Sequence, residues 1–141
     1  MFTPAHARAA STYRQASVEG ASPHQLVSLL FEGLLQSLRM ARTHLQRGDV
    51  AGKGEHITKA VRLIEEGLRM GLDDTDGGEI ASNLRTLYDY SVRRLTIANL
   101  RNDDAPLAEV QSLIETVAEG WRGIAGSTGR APQAALAAGR A

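Results

Sequence analysis

The chain has 141 residues, of which 16 are basic and 16 acidic, 43% are hydrophobic and 23% charged. That is one domain's length at ordinary globular composition, which excludes wholesale disorder. The absence of cysteine excludes disulfide scaffolds, thiolate metal sites and thiol nucleophiles together.

Residues 1–20 hold no apolar run of signal-peptide type and read as an irregular N-terminal arm carrying Phe2, Tyr13 and Val18. Ser22-Pro23-His24-Gln25 reads as a capping box, with Ser22 at the N-cap, Pro23 in the first turn and Gln25 reaching back. The apolar periodicity that follows predicts a first helix from about Pro23 to Arg47, stopped by Gly48, with Asp49 as a new N-cap. A second helix is expected from Val50 or Lys53 to Leu72. Asp73 to Gly78 forms a turn, and Asp76 with Glu79 makes a second capping pattern. Helix three then spans about Gly78–Arg101. Asn102-Asp103-Asp104 breaks it, and Pro106 sits in the first turn of helix four, which ends near Ile124.

From Gly126 to Ala141 the chain is mostly Gly, Ala, Ser, Pro and Arg and reads as a mobile tail. The expected fold is all-α: an antiparallel up-down four-helix bundle over residues 21–125, between the arm (1–20) and the tail (126–141). No stretch approaches the ~18 apolar residues of a membrane-spanning helix. Basic and acidic residues are interspersed without a basic stripe, so neither membrane insertion nor nucleic-acid binding is expected.

Laid out at about 100° per residue, helix four gathers Leu107, Val110, Ile114, Val117, Trp121 and Ile124 on one ordinary core stripe. Leu87 belongs to the corresponding stripe of helix three. Helix one is wider. Leu26, Leu29, Leu30, Gly33, Ser37, Met40, Ala41 and His44 form one face, and Val27, Phe31, Leu34, Leu35, Leu38 and Leu45 an adjoining one. Together they span roughly 240° of the wheel, against a little over 100° for a bundle helix. Either helix one is the most enclosed helix, or its second face is covered by the chain's own arm or by a partner. Tyr90 and Ile97 on helix three, and Leu63 and Met70 on helix two, are displaced from their core stripes in the same way. Surplus apolar surface of this kind suits a groove for apolar helical segments.

Catalytic and metal motifs are missing. There is no Glu-x-x-His for a di-metal bundle, no His-x-x-x-His, and no Lys-Ser or Lys-Thr after Gly77-Gly78. Aligning Asp74 and Asp76 with a calcium loop puts Leu72 and Asn83 where carboxylates are required. No cofactor and no enzymatic activity are expected.

GGEIASNLRTLYDYSVRRLTIANLRN (77–102) resembles the flagellar secretion chaperones of the FliS family. ASPHQLVSLLFEGLL (21–35), GDVAGKGEHITKAVRLIEEGLRMGLD (48–73), the stretch from Val110 to Trp121, and the arm with Tyr13 and Ser17–Glu19 are similar to that family's corresponding segments. The resemblance covers about residues 1–124. It implies a helical bundle in the bacterial cytoplasm that binds the disordered C-terminal segment of flagellin. It further implies that the bundle prevents premature polymerisation and presents flagellin to the export gate, with room for a regulatory or co-chaperone partner. Together with the surplus faces, it makes Phe31, Leu34, Leu38, Leu63, Met70, Tyr90 and Ile97 the candidate flagellin-groove residues. It makes Phe2, Tyr13 and Val18 the candidates for covering the groove when no client is present.

Overall fold

The structure, a computed structural model, describes residues 22–72 and 74–125, with the backbone alone for residues 74–76 and 125. Four helices follow one another, and no strand occurs among the described residues: α1 (Pro23–Gln46), α2 (Val50–Arg62), α3 (Asp74–Arg101) and α4 (Asp104–Ala125). Phe2, Tyr13, Val18 and the tail from Gly126 lie outside the described residues.

The first boundary is the expected capping box. The Gln25 N–H donates to the Ser22 hydroxyl (3.2 Å) and the Ser22 N–H to Gln25 Oε1 (2.8 Å), with Pro23 in the first turn. At the other end of α1 the chain reverses through Gly48 at φ +76°, a conformation that costs a residue without Cβ little. Asp49 then caps α2: its carboxylate accepts the Gly52 N–H (2.9 Å) and meets His44 Nδ1 (2.8 Å). The second helix departs from the sequence expectation in shape. After Arg62 it widens into a seven-residue π-helix, Leu63–Arg69. Gly67 stands within it, and the Leu30 side chain approaches to 2.9 Å of where a Cβ at Gly67 would stand. At Gly78 (φ +54°, ψ −129°) the backbone leaves helical geometry, so α3 is kinked there and its long straight part begins beyond it.

Contacts between helices fix the topology. Leu30 meets Gly67 while His44 reaches Asp49 and the start of α2. Lys53 bonds Asn99 while Arg69 bonds Asp89. Arg42 grips Asp104 while His24 meets Trp121. In each pair one residue number rises as the other falls, so neighbours are antiparallel. α1 packs on α2 and α4, and α3 on α2 and α4, whereas the diagonal pairs do not approach along their backbones. This closes a square up-down bundle.

The core runs along its axis: Leu34, Leu38 and Ala41 from α1, Ile57, Ala60 and Ile64 from the second helix, Tyr88, Leu95 and Ala98 from α3, and Leu107, Val110 and Ile114 from α4. Leu87 and Trp121 are half-buried rather than interior. Trp121 is fastened at the bundle's end: its Nε1–H donates to the His24 carbonyl (3.0 Å), its own carbonyl meets His24 Nε2 (2.8 Å), and the two rings stack at 4.6 Å.

The Asp49 cap is expected to make stability acid-sensitive. The Gly52 N–H, and after it the hydrogen bond with His44, hold the Asp49 carboxyl below its ordinary value of 3.8. A carboxyl lowered by folding contributes stability that is complete above the ordinary value and is lost as pH falls through the lowered one. Asp89 and Glu109 shift the same way. Asp49→Asn keeps an acceptor for the cap but removes this titration. Its urea midpoint should therefore fall less steeply than that of the natural chain between about pH 4 and pH 2. Parallel profiles would show that the cap carries no pH-linked stability.

Candidate functional site

The breadth of apolar surface on α1 has a structural cause. One of its faces meets the second helix: Leu63 Cδ1 lies 3.5 Å from where a Cβ on Gly33 would stand, and Leu30 presses on Gly67. The other meets α4: Arg42 donates to both Asp104 oxygens (2.8 and 3.0 Å) and to Gln111 (2.9 Å), and Phe31 lies near Ala118 and Trp121. A helix with two flanking neighbours needs two adjoining stripes. Phe31, Leu34 and Leu38 are accordingly 4%, 0% and 0% exposed and belong to the core. They are interior side chains in this structure, and of the three Phe31 borders an open hollow. That shallow hollow lies between α1 and α4 among Ser28, Phe31, Glu32, Ala118, Trp121 and Arg122.

The other four candidates stand nearer the surface, but not together. Leu63 is half-buried in the seam between α1 and the second helix, and Met70 is 74% exposed at that helix's end. Tyr90 and Ile97 are half-buried on α3. Tyr90 belongs to the seam with α4, where its hydroxyl donates to Glu109 Oε2 and Arg94 Nε donates to Glu109 Oε1 (2.7 Å). The bonds from Tyr90 and then Arg94 hold the Glu109 carboxyl below its ordinary value, and Glu109 in turn raises the Tyr90 hydroxyl. In the square arrangement these two seams lie on opposite sides of the bundle. Leu63 and Tyr90 therefore do not face one another across one seam.

Leu100, 80% exposed, escaped the sequence reading. Its signal was available: it follows Ile97 by three residues, on the same side of the helix. Among the described residues no group of three or more His, Asp or Glu side chains is placed to hold a metal ion. No helix among them is long and apolar enough to cross a membrane.

Residues 6–128 match the protein family described as "Flagellar protein FliS". The chain belongs to the FliS family. It is 51% identical to the flagellar secretion chaperone FliS of Salmonella typhimurium over 79% of this chain and 86% of that protein. It is 43% identical to the flagellar secretion chaperone FliSB of Pseudomonas aeruginosa, covering 83% and 95% of the two chains. The Bacillus subtilis FliS is 33% identical over 79% and 82%. The family match takes in all four helices, so both exposed seams belong to the family's own bundle and not to an addition.

Proposed function

We propose that this chain is a cytoplasmic export chaperone that holds the disordered C-terminal segment of flagellin, delays its polymerisation and presents it to the export gate. The observation that carries this reading is the collinear likeness, across the whole bundle, to proteins named flagellar secretion chaperones. The geometry supports it. Partly exposed apolar residues stand in separate places: Leu63 in the seam of α1 with the second helix, Tyr90 in the seam of α3 with α4, Met70 at the end of the second helix and Ile97 on α3. A rigid partner covers one seam; an unfolded segment can follow both. Such a client pays its ordering cost on binding, so it requires a large surface. No catalytic step is part of this reading. The arm with Phe2, Tyr13 and Val18 is proposed to cover part of this surface until a client arrives, and a regulator or co-chaperone is the further partner in the scheme.

The test is calorimetric titration with a peptide of the C-terminal segment of the same organism's flagellin. Ile97 is outside the core cluster, so Ile97→Asp should weaken binding by more than about 1 kcal/mol while changing stability little. Unaltered affinity in a folded Ile97→Asp chain removes the α3 side from the client site. A chain lacking residues 1–12 should associate with the same peptide no more slowly than the full chain. A large loss of association rate would make the arm part of the binding site instead.

A further inference from the structure

The side of α3 that faces away from the core combines basic and aliphatic side chains. At about 100° per residue, Ile97 lies roughly 150° from the middle of the buried stripe of Ala81, Tyr88, Ser91, Leu95 and Ala98. Tyr90, Arg93, Ile97 and Leu100 succeed one another there at spacings of three and four, with Arg94 and Arg101 along the edge. Leu100 is 80% exposed, and Arg93 and Arg101 are exposed.

The acidic groups nearby are occupied. Glu109 is held by Tyr90 and Arg94, Asp89 by Arg69, and Asp103 accepts the Ala105 N–H at the start of α4. Neither Arg93 nor Arg101 makes a close ion pair among the described residues, and Arg93 acts on the Asp89 carboxylate only from a distance. In a chain of zero net charge, this strip sets exposed guanidinium groups around two exposed or half-exposed aliphatic side chains.

We infer that this side of α3 docks a stretch of the client in which aliphatic side chains are flanked by carboxylates. The inference rests on the flagellin reading above and names the chemistry of one part of that surface. Aliphatic side chains of the client cover Ile97 and Leu100, and its carboxylates take the planar, paired donors of Arg93 and Arg101. A lipid surface fits less well. The apolar width is two or three side chains, short of the broad face of an interfacial helix.

The test uses the full chain and the flagellin C-terminal peptide, with folding of each variant checked by its thermal midpoint. The double variant R93E/R101E should bind roughly tenfold more weakly at low salt and approach the natural chain as salt rises, because exposed charges are screened. Leu100→Ser should weaken binding by a factor that does not change with salt. A peptide whose Asp and Glu are replaced by their amides should reproduce the loss and be indifferent to R93E/R101E. If the natural chain binds the peptide, and R93E/R101E binds with the same affinity and salt slope, the inference is overturned. If the natural chain does not bind the peptide at all, the flagellin reading itself fails, and this inference with it. Phosphatidylserine vesicles should not bind; vesicle binding that disappears in R93E/R101E would assign the strip to a membrane surface and overturn the inference.

Discussion

Leu38→Ala lowers the stability of the bundle by about 2–5 kcal/mol and leaves the affinity of the remaining folded molecules for a client unchanged. Leu38 is fully buried in the middle of α1, in one core cluster with leucine, isoleucine and valine side chains from the other helices. Truncation removes three carbons from that cluster. Helices fastened at both ends, by Arg42 to Asp104 and by His24 to Trp121, have little freedom to close the gap. A cavity therefore adds to the lost transfer energy. Urea unfolding measures the first part, and titration of the folded variant with the flagellin peptide the second. A stable variant with weakened binding would return Leu38 to the client surface.

Lys53→Ala should cost about 2–4 kcal/mol, from a lost core-facing stem together with unpaired acceptors. Lys53 is 2% exposed, and its ammonium donates to the Asn99 backbone carbonyl (2.8 Å) and to Asn99 Oδ1 (2.7 Å). That carbonyl lies in the last turn of α3, where the helix presents its negative end and free carbonyls. The lysine thus joins the second helix to α3 near one end of the bundle. Lys53→Met fills the same volume and loses only the hydrogen bonds, so it should cost about half as much. Asn99→Leu strands the buried charge with a single acceptor and should cost at least as much as Lys53→Ala. Equal stability of Lys53→Met and the natural chain would show that the two bonds contribute nothing beyond the space the stem fills.

The helices were legible because their ends are written in local chemistry. Ser22 and Gln25, Gly48 and Asp49, and Asn102 to Pro106 each act within a few residues of themselves, and each boundary falls within two or three residues of its expected place. The π-helix at Leu63–Arg69 was not legible: no residue there forbids an α-helix, and Gly67 acquires its meaning from Leu30 on another helix. The site was legible only in part for the same reason. A helical wheel reports that α1 has two apolar faces, but not that α2 and α4 cover both. Surplus apolar faces on the wheel thus point equally to a partner and to neighbouring helices, and it is neighbouring helices that bury Phe31, Leu34 and Leu38 in this structure. Tyr90 and Ile97, displaced from a narrower core stripe, are half-buried on α3, as that displacement implies. Lys53 reads as an ordinary surface lysine until Asn99, forty-six residues away, is brought to its ammonium.

The most direct measurement is calorimetric titration of the full chain with the C-terminal segment of its organism's flagellin, beside a segment from the middle of the same flagellin. Saturable binding of the C-terminal segment, with a negative heat-capacity change from apolar burial, and no binding of the central segment, is the predicted result. Absence of binding by the C-terminal segment, or equal binding of both, would contradict the assignment of this bundle as a flagellin export chaperone.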